Sequence, residues 1–418
     1  MSPPDPEALG TRAYAMISEL GAISAEPDRL VRLFLTPEHR RAADLVAGWM
    51  RAAGLAVSED ALGTLRGRFG SSRRRLLIGS HIDTVIDAGK YDGPLGVVAG
   101  ILAVEQFSRA KAKLPFGIDV LAFGDEEGSR FPATLTSSSA CAGVFEHEAL
   151  STADASGVTL TAALRAYGKS PHDIPAAAYR PQDAAGYVEV HIEQGPVLEA
   201  KGEPLGVVTG IVGQSRLRVT VAGEAGHAGT VPMNLRHDPL VGAAEMALAL
   251  EVITREHPED GMVGTVGRIE ATPGAVNIIP GRVVFTVDLR ALTDTLRVAA
   301  AERFAAEAQR IAVARGLKVV IEPFHEIATA HCAPPLQDLL AASVADLGHT
   351  PIRLPSGAGH DAQVMAQPCP SAMLFVRCRG GISHNPAEFA CVSDMGVAIA
   401  ALIKFIERFQ SNEPALRA

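Results

Sequence analysis

Four short apolar runs in this 418-residue chain end in the same kind of chemistry, and that repetition constrains the fold more than any other feature. Leu76–Gly79 runs into Ser80-His81-Ile82-Asp83-Thr84, with Tyr91-Asp92-Gly93-Pro94 following. Asp119–Phe123 runs into Gly124-Asp125-Glu126-Glu127-Gly128, and Tyr187–Ile192 carries His191 near its end, followed by Glu193-Gln194-Gly195. Met373–Arg377 leads through Gly380-Gly381 to Ile382-Ser383-His384-Asn385. Runs of this length, bounded by turn residues, read as strands. Helical patterns such as Leu95–Ala110 lie between some of them, so the expected architecture is an α/β sheet with helices on its faces. Sites in such sheets lie beyond the carboxyl ends of the strands.

Each polar residue has an ordinary reading of its own. His81 alone is a structural histidine, Asp92 a turn former, Glu126-Glu127 a solvated pair and His384 a loop residue. His191 sits in a Val-Glu-Val-His-Ile-Glu alternation that puts Glu189, His191 and Glu193 on one face, which would be exposed in a half-buried strand. Their joint placement at four strand ends is what packing alone does not explain. In His81-x-Asp83 the aspartate can hold the second imidazole nitrogen, the usual support of a metal-bound histidine. Adjacent buried carboxylates need a cation or a proton nearby. Three histidines and two acids overfill one tetrahedral site but divide between two cations that share a carboxylate. Nitrogen and oxygen donors without thiolate suit Zn²⁺, Mn²⁺ or Co²⁺. Two such cations can activate a shared water and polarise a carbonyl.

A different pattern fills residues 216–322. Strand patterns at Arg216–Ala222, Val263–Glu270, Arg282–Arg290 and Leu317–Glu322 alternate with helical patterns at His237–Glu256 and Thr293–Arg315. That order, βαββαβ, is the ferredoxin-like arrangement. We expect residues 1–214 and 330–418 to form one catalytic α/β domain with a mixed sheet, and residues 215–329 to form an inserted domain. Gly206–Gly213 lacks the Lys-Ser/Thr of a phosphate loop and reads as the crossing between them. Residues from about 10 to 56 read as helices, one starting at Thr36-Pro37-Glu38 and ending before Gly54.

Net charge is −9, which excludes a basic nucleic-acid footprint. The run Arg73–Arg75 reads as a solvated strand entry. No apolar run is long enough for a membrane span, and the first residues carry no secretory pattern. Five scattered cysteines without a C-x-x-C pair read as reduced thiols. The expected location is cytoplasmic.

From about residue 30 to 410 the chain resembles the M20-type metal-dependent amidohydrolases and peptidases. More narrowly it resembles their ureido-hydrolysing branch: allantoate amidohydrolases, N-carbamoyl-L-amino acid hydrolases and β-ureidopropionases. The resemblance is carried by the stretches Gly79–Thr84, Asp125–Phe131, His191–Glu199, Gly226–Met233, Ser356–Asp361 and Gly381–Pro386. It implies two divalent ions per subunit, one on His81, Asp92 and His191, the other on Asp92, Glu127 and His384. It implies Glu126 as general base and Asp83 as the residue orienting His81. Asn277 and Arg290 would hold the substrate carboxylate. His227, supplied by a partner subunit, would stabilise the oxyanion, and Gln194, Gly359 and His360 would make further substrate contacts. The inserted domain would serve as lid and dimerisation domain of a homodimer. The substrate would be a small ureido-carboxylate. Allantoate is favoured by Phe123–Gly128 and Met373–His384, with N-carbamoyl-L-amino acids as the alternative. A non-catalytic binding protein and a dipeptidase are the competing classes on this fold, because fold does not fix function.

Overall fold

The computed structural model describes residues 5–256 and 261–412. The chain divides into two compact units, Met1–Thr209 with His331–Ala418, and Gly210–Ala330.

The first unit opens with α1 (Pro6–Gly21) and α2 (Pro37–Ala52). Both have proline in the first turn and a capping side chain, Asp5 and Thr36, that accepts backbone N–H bonds. These are the standard devices for satisfying the free donors of a helix start. Strands β1 (Ala56–Glu59), β2 (Leu65–Phe69), β3 (Arg75–His81), β4 (Gly117–Phe123), β5 (Ala184–Ile192) and β6 (Leu205–Ile211) follow. Between them lie α3 (Pro94–Arg109), α4 (Thr136–Ala142), α5 (Leu160–Ala166) and α6 (Val197–Lys201).

After the second unit the chain adds β13 (Ala330–His331), β14 (Ile352–Ser356) and β15 (Ser371–Val376), with α9 (Pro334–Ala345), α10 (Asp361–Met365) and α11 (Val392–Asn412). The sheet runs β1-β2-β4-β3-β5-β15-β6-β13, with β14 beside β6. Its centre is parallel: β4 with β3, β3 with β5, and β5 with β15. Strands β2 and β6 flank that block antiparallel, which makes the sheet mixed. Every residue of β3, β4, β5 and β15 is buried, as expected of strands covered on both faces. The Gly206–Gly213 stretch is therefore more than a crossing, since most of it is the buried strand β6.

The second unit has the order β7 (Gly213–Ala222), α7 (Pro239–Arg255), β9 (Val263–Thr272), β11 (Arg282–Ala291), α8 (Asp294–Arg315), β12 (Lys318–Ile327). Its antiparallel sheet runs β12-β7-β11-β9, the ferredoxin-like order. Val219, Val221, Val283, Phe285 and Leu289 face Met246, Leu250, Phe304 and Ile311 of the helices. A two-stranded ribbon, β8 (Gly226–His227) with β10 (Ile278–Ile279), was not foreseen from the sequence. The thiols are all unpaired; Cys391 is exposed and the other four are buried. Among the described residues no helix is long and apolar enough to cross a membrane.

Candidate metal centre

The parallel block brings the carboxyl ends of β4, β3, β5 and β15 to one edge. His81 closes β3, His191 is the penultimate residue of β5, Glu126 and Glu127 follow β4, and His384 lies in the loop after β15. Asp92 joins them from the turn before α3. That turn needs Gly93, whose φ is +81° and whose absent Cβ would lie 2.5 Å from the His81 ring. Across the site, Gly381 lets the His384 loop approach Gly195 and Pro196, where a Cβ would come within 2.7 Å of backbone.

Asp92 is the hub. His81 Nε2 lies 3.5 Å and His191 Nε2 3.0 Å from its Oδ1, while His384 Nε2 lies 3.4 Å from its Oδ2. His384 Nε2 is also 3.4 Å from Glu127 Oε2. Donors around a tetrahedral cation with bonds of 2.0–2.1 Å are separated by roughly 3.3 Å, so these spacings are those of ligands about an ion. Two donor groups share Asp92: His81 with His191, and Glu127 with His384. The Nε2 atoms of His81 and His191 are buried without a hydrogen-bond partner. Their approach to Asp92 thus lacks hydrogen-bond alignment, and a cation would satisfy both atoms. The donor set fits a divalent metal.

The electrostatics agree. Burial opposes the charge on Asp92, but His191, His384 and His81 outweigh it and hold the carboxyl well below its usual range. Burial raises Glu126 well above the ordinary carboxylate value, against His81 and with help from Glu127. Burial, with repulsion from Asp92, lifts Glu127 to about 7. Hydrogen bonding to Asp92 raises His384 to about 9. A cation would relieve the repulsion among these acids.

Asp83 lies 3.4 Å from His81 Nδ1, a long approach. Its firmer bonds are to the backbone N–H groups of Glu126 and Glu127, at 3.1 and 3.2 Å. It thereby ties the end of β3 to the loop after β4.

Several residues have partners that the sequence did not suggest. Gln194, with a φ of +55°, donates from Nε2 to Asp92 Oδ2 at 2.8 Å and to Ser383 Oγ at 3.2 Å. His360 is buried edge-on to the His191 ring at 4.4 Å and bonded to Ser356, with Gly359 beside it. Glu193 lies just beyond β5, and its carboxylate accepts from the N–H groups of Val197 and Leu198 at the start of α6. Glu189 shares the His191 face, but it is fully buried, with Ser80, Tyr187 and Ala362 as donors. Ser383 and Glu388 were missed. Ser383 Oγ reaches Asp92 Oδ2 at 2.7 Å, and Glu388 accepts from the N–H groups of Tyr91 and Asp92 at 2.9 and 3.1 Å. Glu388 stands four residues after His384, the only hint the sequence offered.

Within the second unit, the β8–β10 ribbon sets His227 opposite Ile278 and bonds Ala228 N to the carbonyl of Asn277, so that His227 and Asn277 are neighbours. Both are exposed. Arg290 lies near the end of β11, and its guanidinium forks onto Asp288 at 2.9 and 3.1 Å. Asp288 also accepts from Gln214 and Arg216.

The Peptidase family M20/M25/M40 profile matches residues 77–408. The chain belongs to that family. This M20 chain is 42% identical to allantoate deiminase from Arabidopsis thaliana over 96% of its own length and 82% of the relative's. It is 40% identical to N-carbamoyl-L-amino acid amidohydrolase from Geobacillus stearothermophilus, over 97% of its length and 99% of the relative's. A hydantoinase/carbamoylase family amidase from Burkholderia multivorans superposes with a TM-score of 0.88 at 31% identity, covering 97% of both chains. The M20 family is metal-dependent, this member carries candidate metal-ligand groups, and it is a hydrolase acting on C–N bonds.

Proposed function

We propose that the chain is an allantoate amidohydrolase. It would hydrolyse one ureido group of allantoate with one water to give ureidoglycine, ammonia and CO2. The observation that carries the reading is the Asp92 hub, which divides five ligand-type side chains into two groups around one carboxylate. His81, Asp92 and His191 would hold one divalent ion, and Asp92, Glu127 and His384 a second, with Mn²⁺ or Zn²⁺ the best matches to the donors. Such ions supply polarisation of the ureido carbonyl and a lowered pKa for the attacking water. Glu126 does the proton work: it takes the water's proton and returns it to the departing nitrogen. Its raised affinity for a proton suits a base that must also act as an acid. Asp83, fixed by two backbone N–H groups, keeps His81 in place. Gln194 and Ser383, both bonded to Asp92, fix the shared carboxylate.

Recognition of the substrate carboxylate is assigned to Arg290 and Asn277, oxyanion stabilisation to His227, and further substrate contacts to Gln194, Gly359 and His360. The motif resemblance supports these roles, and a guanidinium such as that of Arg290, here forked onto Asp288, is chemically suited to pairing with a carboxylate. A homodimer through the second unit is supported by β9, an edge strand with Val263 and Ile269 exposed, and by Val241, Leu248 and Val252 outward on α7.

N-carbamoyl-L-amino acids are the second reading, favoured by the Geobacillus relative that this chain matches nearly end to end. The deciding experiment is ammonia release from allantoate, N-carbamoyl-L-amino acids and dipeptides, with Mn²⁺, Zn²⁺ or Co²⁺ supplied. Allantoate should give the highest kcat/KM. Faster turnover of N-carbamoyl amino acids would transfer the assignment to the second reading, and turnover of dipeptides alone would refute both.

A further inference from the structure

The run Arg73–Arg75 was expected to be a solvated strand entry. Arg75 is instead buried, and the run borders a cavity of about 450 Å³ lined by Arg66, Arg68, Arg73, Arg75, Tyr179 and Arg180, among others. The cavity lies at the opposite end of the strands that carry the metal-type residues. Arg75 opens β3 beside Gly117, and His81 closes it beside Phe123. At about 3.3 Å per residue, those ends are roughly 20 Å apart.

Five guanidiniums converge there in a chain whose net charge is −9. Three acids meet them. Asp119 takes Arg75, the Tyr179 hydroxyl at 2.7 Å, and Arg68 at 3.5 Å. Asp183 takes Arg73 at 2.7 Å and Arg180 at 2.8 Å, and Asp60 takes Arg66 at 3.2 Å. Five against three leaves an excess of two positive charges. Arg75 is committed to the fold, since it also bonds the carbonyls of Phe69, Ser72 and Ile118. Arg66 is committed as well, bonding Asp60, the Cys141 sulfur and the Ala177 carbonyl while stacking on Tyr179. Arg68 and Arg73 stand exposed at the rim.

We propose that this cavity is a second binding site, separate from the metal centre, for a small phosphate-bearing anion. Guanidinium forks match phosphate oxygens bidentately. The volume falls within the roughly 300–1,000 Å³ of ligand pockets. The inference is independent of the substrate assignment.

Pyrophosphate is the probe, titrated calorimetrically into the metal-loaded full chain in excess sodium chloride. The wild type should bind one pyrophosphate per chain at this site. Arg68→Ala/Arg73→Ala should weaken that binding about ten- to a hundredfold, the range expected for lost charge-assisted bonds, without changing basal turnover. Ser71→Asp, an exposed change on the same rim, should weaken it too. Heat from pyrophosphate at the metal centre would be common to all three proteins and subtract out. Identical isotherms for the three proteins, or no heat beyond the metal-centre signal, would overturn the proposal.

Discussion

The two units use their sheets in opposite ways. In the first, β3, β4, β5 and β15 are buried on both faces, and their carboxyl ends carry His81, Glu126, Glu127, His191 and His384. In the second, β7 and β11 alternate between buried and part-exposed residues, while β9 and β12 leave Val263, Ile269, Val320 and Phe324 open. A sheet covered on both sides is rigid, and its strand ends can hold charged groups in fixed register. A sheet covered on one side offers a face and an edge to a partner. That contrast is in keeping with the proposal of chemistry on the first unit, and of carboxylate recognition and assembly on the second.

The largest effect should come from breaking the first unit's chemistry without touching its metals. Glu126→Gln should lower turnover about 10²–10⁴-fold while metal content stays at the wild-type value. Near-normal turnover would remove Glu126 from the proton-transfer role. Glu127→Gln, by contrast, should lower the metal content itself.

In the second unit, a recognition defect should appear in KM and not in metal content. Arg290→Lys exchanges a fork for a point charge and should raise KM about ten- to a hundredfold, with the metals retained. An unchanged KM would leave Arg290 as a structural partner of Asp288.

The packing contrast has its own measurement. Ile78→Ala in β3 should destabilise by about 2–5 kcal/mol, since nothing refills a site closed on both faces. Val320→Thr on the open face of β12 should stay within about 0.5 kcal/mol. Comparable urea midpoints for the two variants would mean that the second sheet is covered as well.

A smaller effect concerns acid. Burial, with Arg32, Arg40 and Arg130 near and Asp83 opposing, holds His39 of α2 down to about 3. The unfolded histidine takes its proton near 6.5, so below that pH the unfolded state binds more protons. The contribution is complete above pH 6.5 and is lost as pH falls towards 3. His39→Gln should flatten the decline of stability between pH 6.5 and 4 by on the order of a few kcal/mol. Both proteins should be compared after chelation, so that proton uptake at the metal-type residues cancels. Equal slopes would mean that His39 is protonated in the fold.

Sequence periodicity located the strands because their apolar runs are bounded by turns, and it drew attention to His81, Glu126, Glu127, His191 and His384 because they stand at or just beyond run ends, whereas Asp92, in a turn, and the roles of all six came from the motif resemblance. It could not report which alternations are buried. Val188–Glu193 reads as half exposed, yet Glu189 is enclosed, because a neighbouring parallel strand and α10 cover a face that looks polar. Ser383 and Glu388 escaped for another reason: their role is to hold Asp92, nearly three hundred residues away, and no local pattern records such a contact. Within the Arg73–Arg75 run only Arg75 departs from the solvated reading, because Asp119, the acid that draws it in, stands 44 residues further along the chain.

The most direct test of the central claim is a metal titration of chelated protein, with bound ions counted by elemental analysis and ammonia release from allantoate measured at each point. Activity should be absent in the chelated protein, rise with metal and reach its limit near two ions per chain, and Asp92→Asn should fail to recover at any loading. Full turnover at background metal content, or full recovery by Asp92→Asn, would contradict the account.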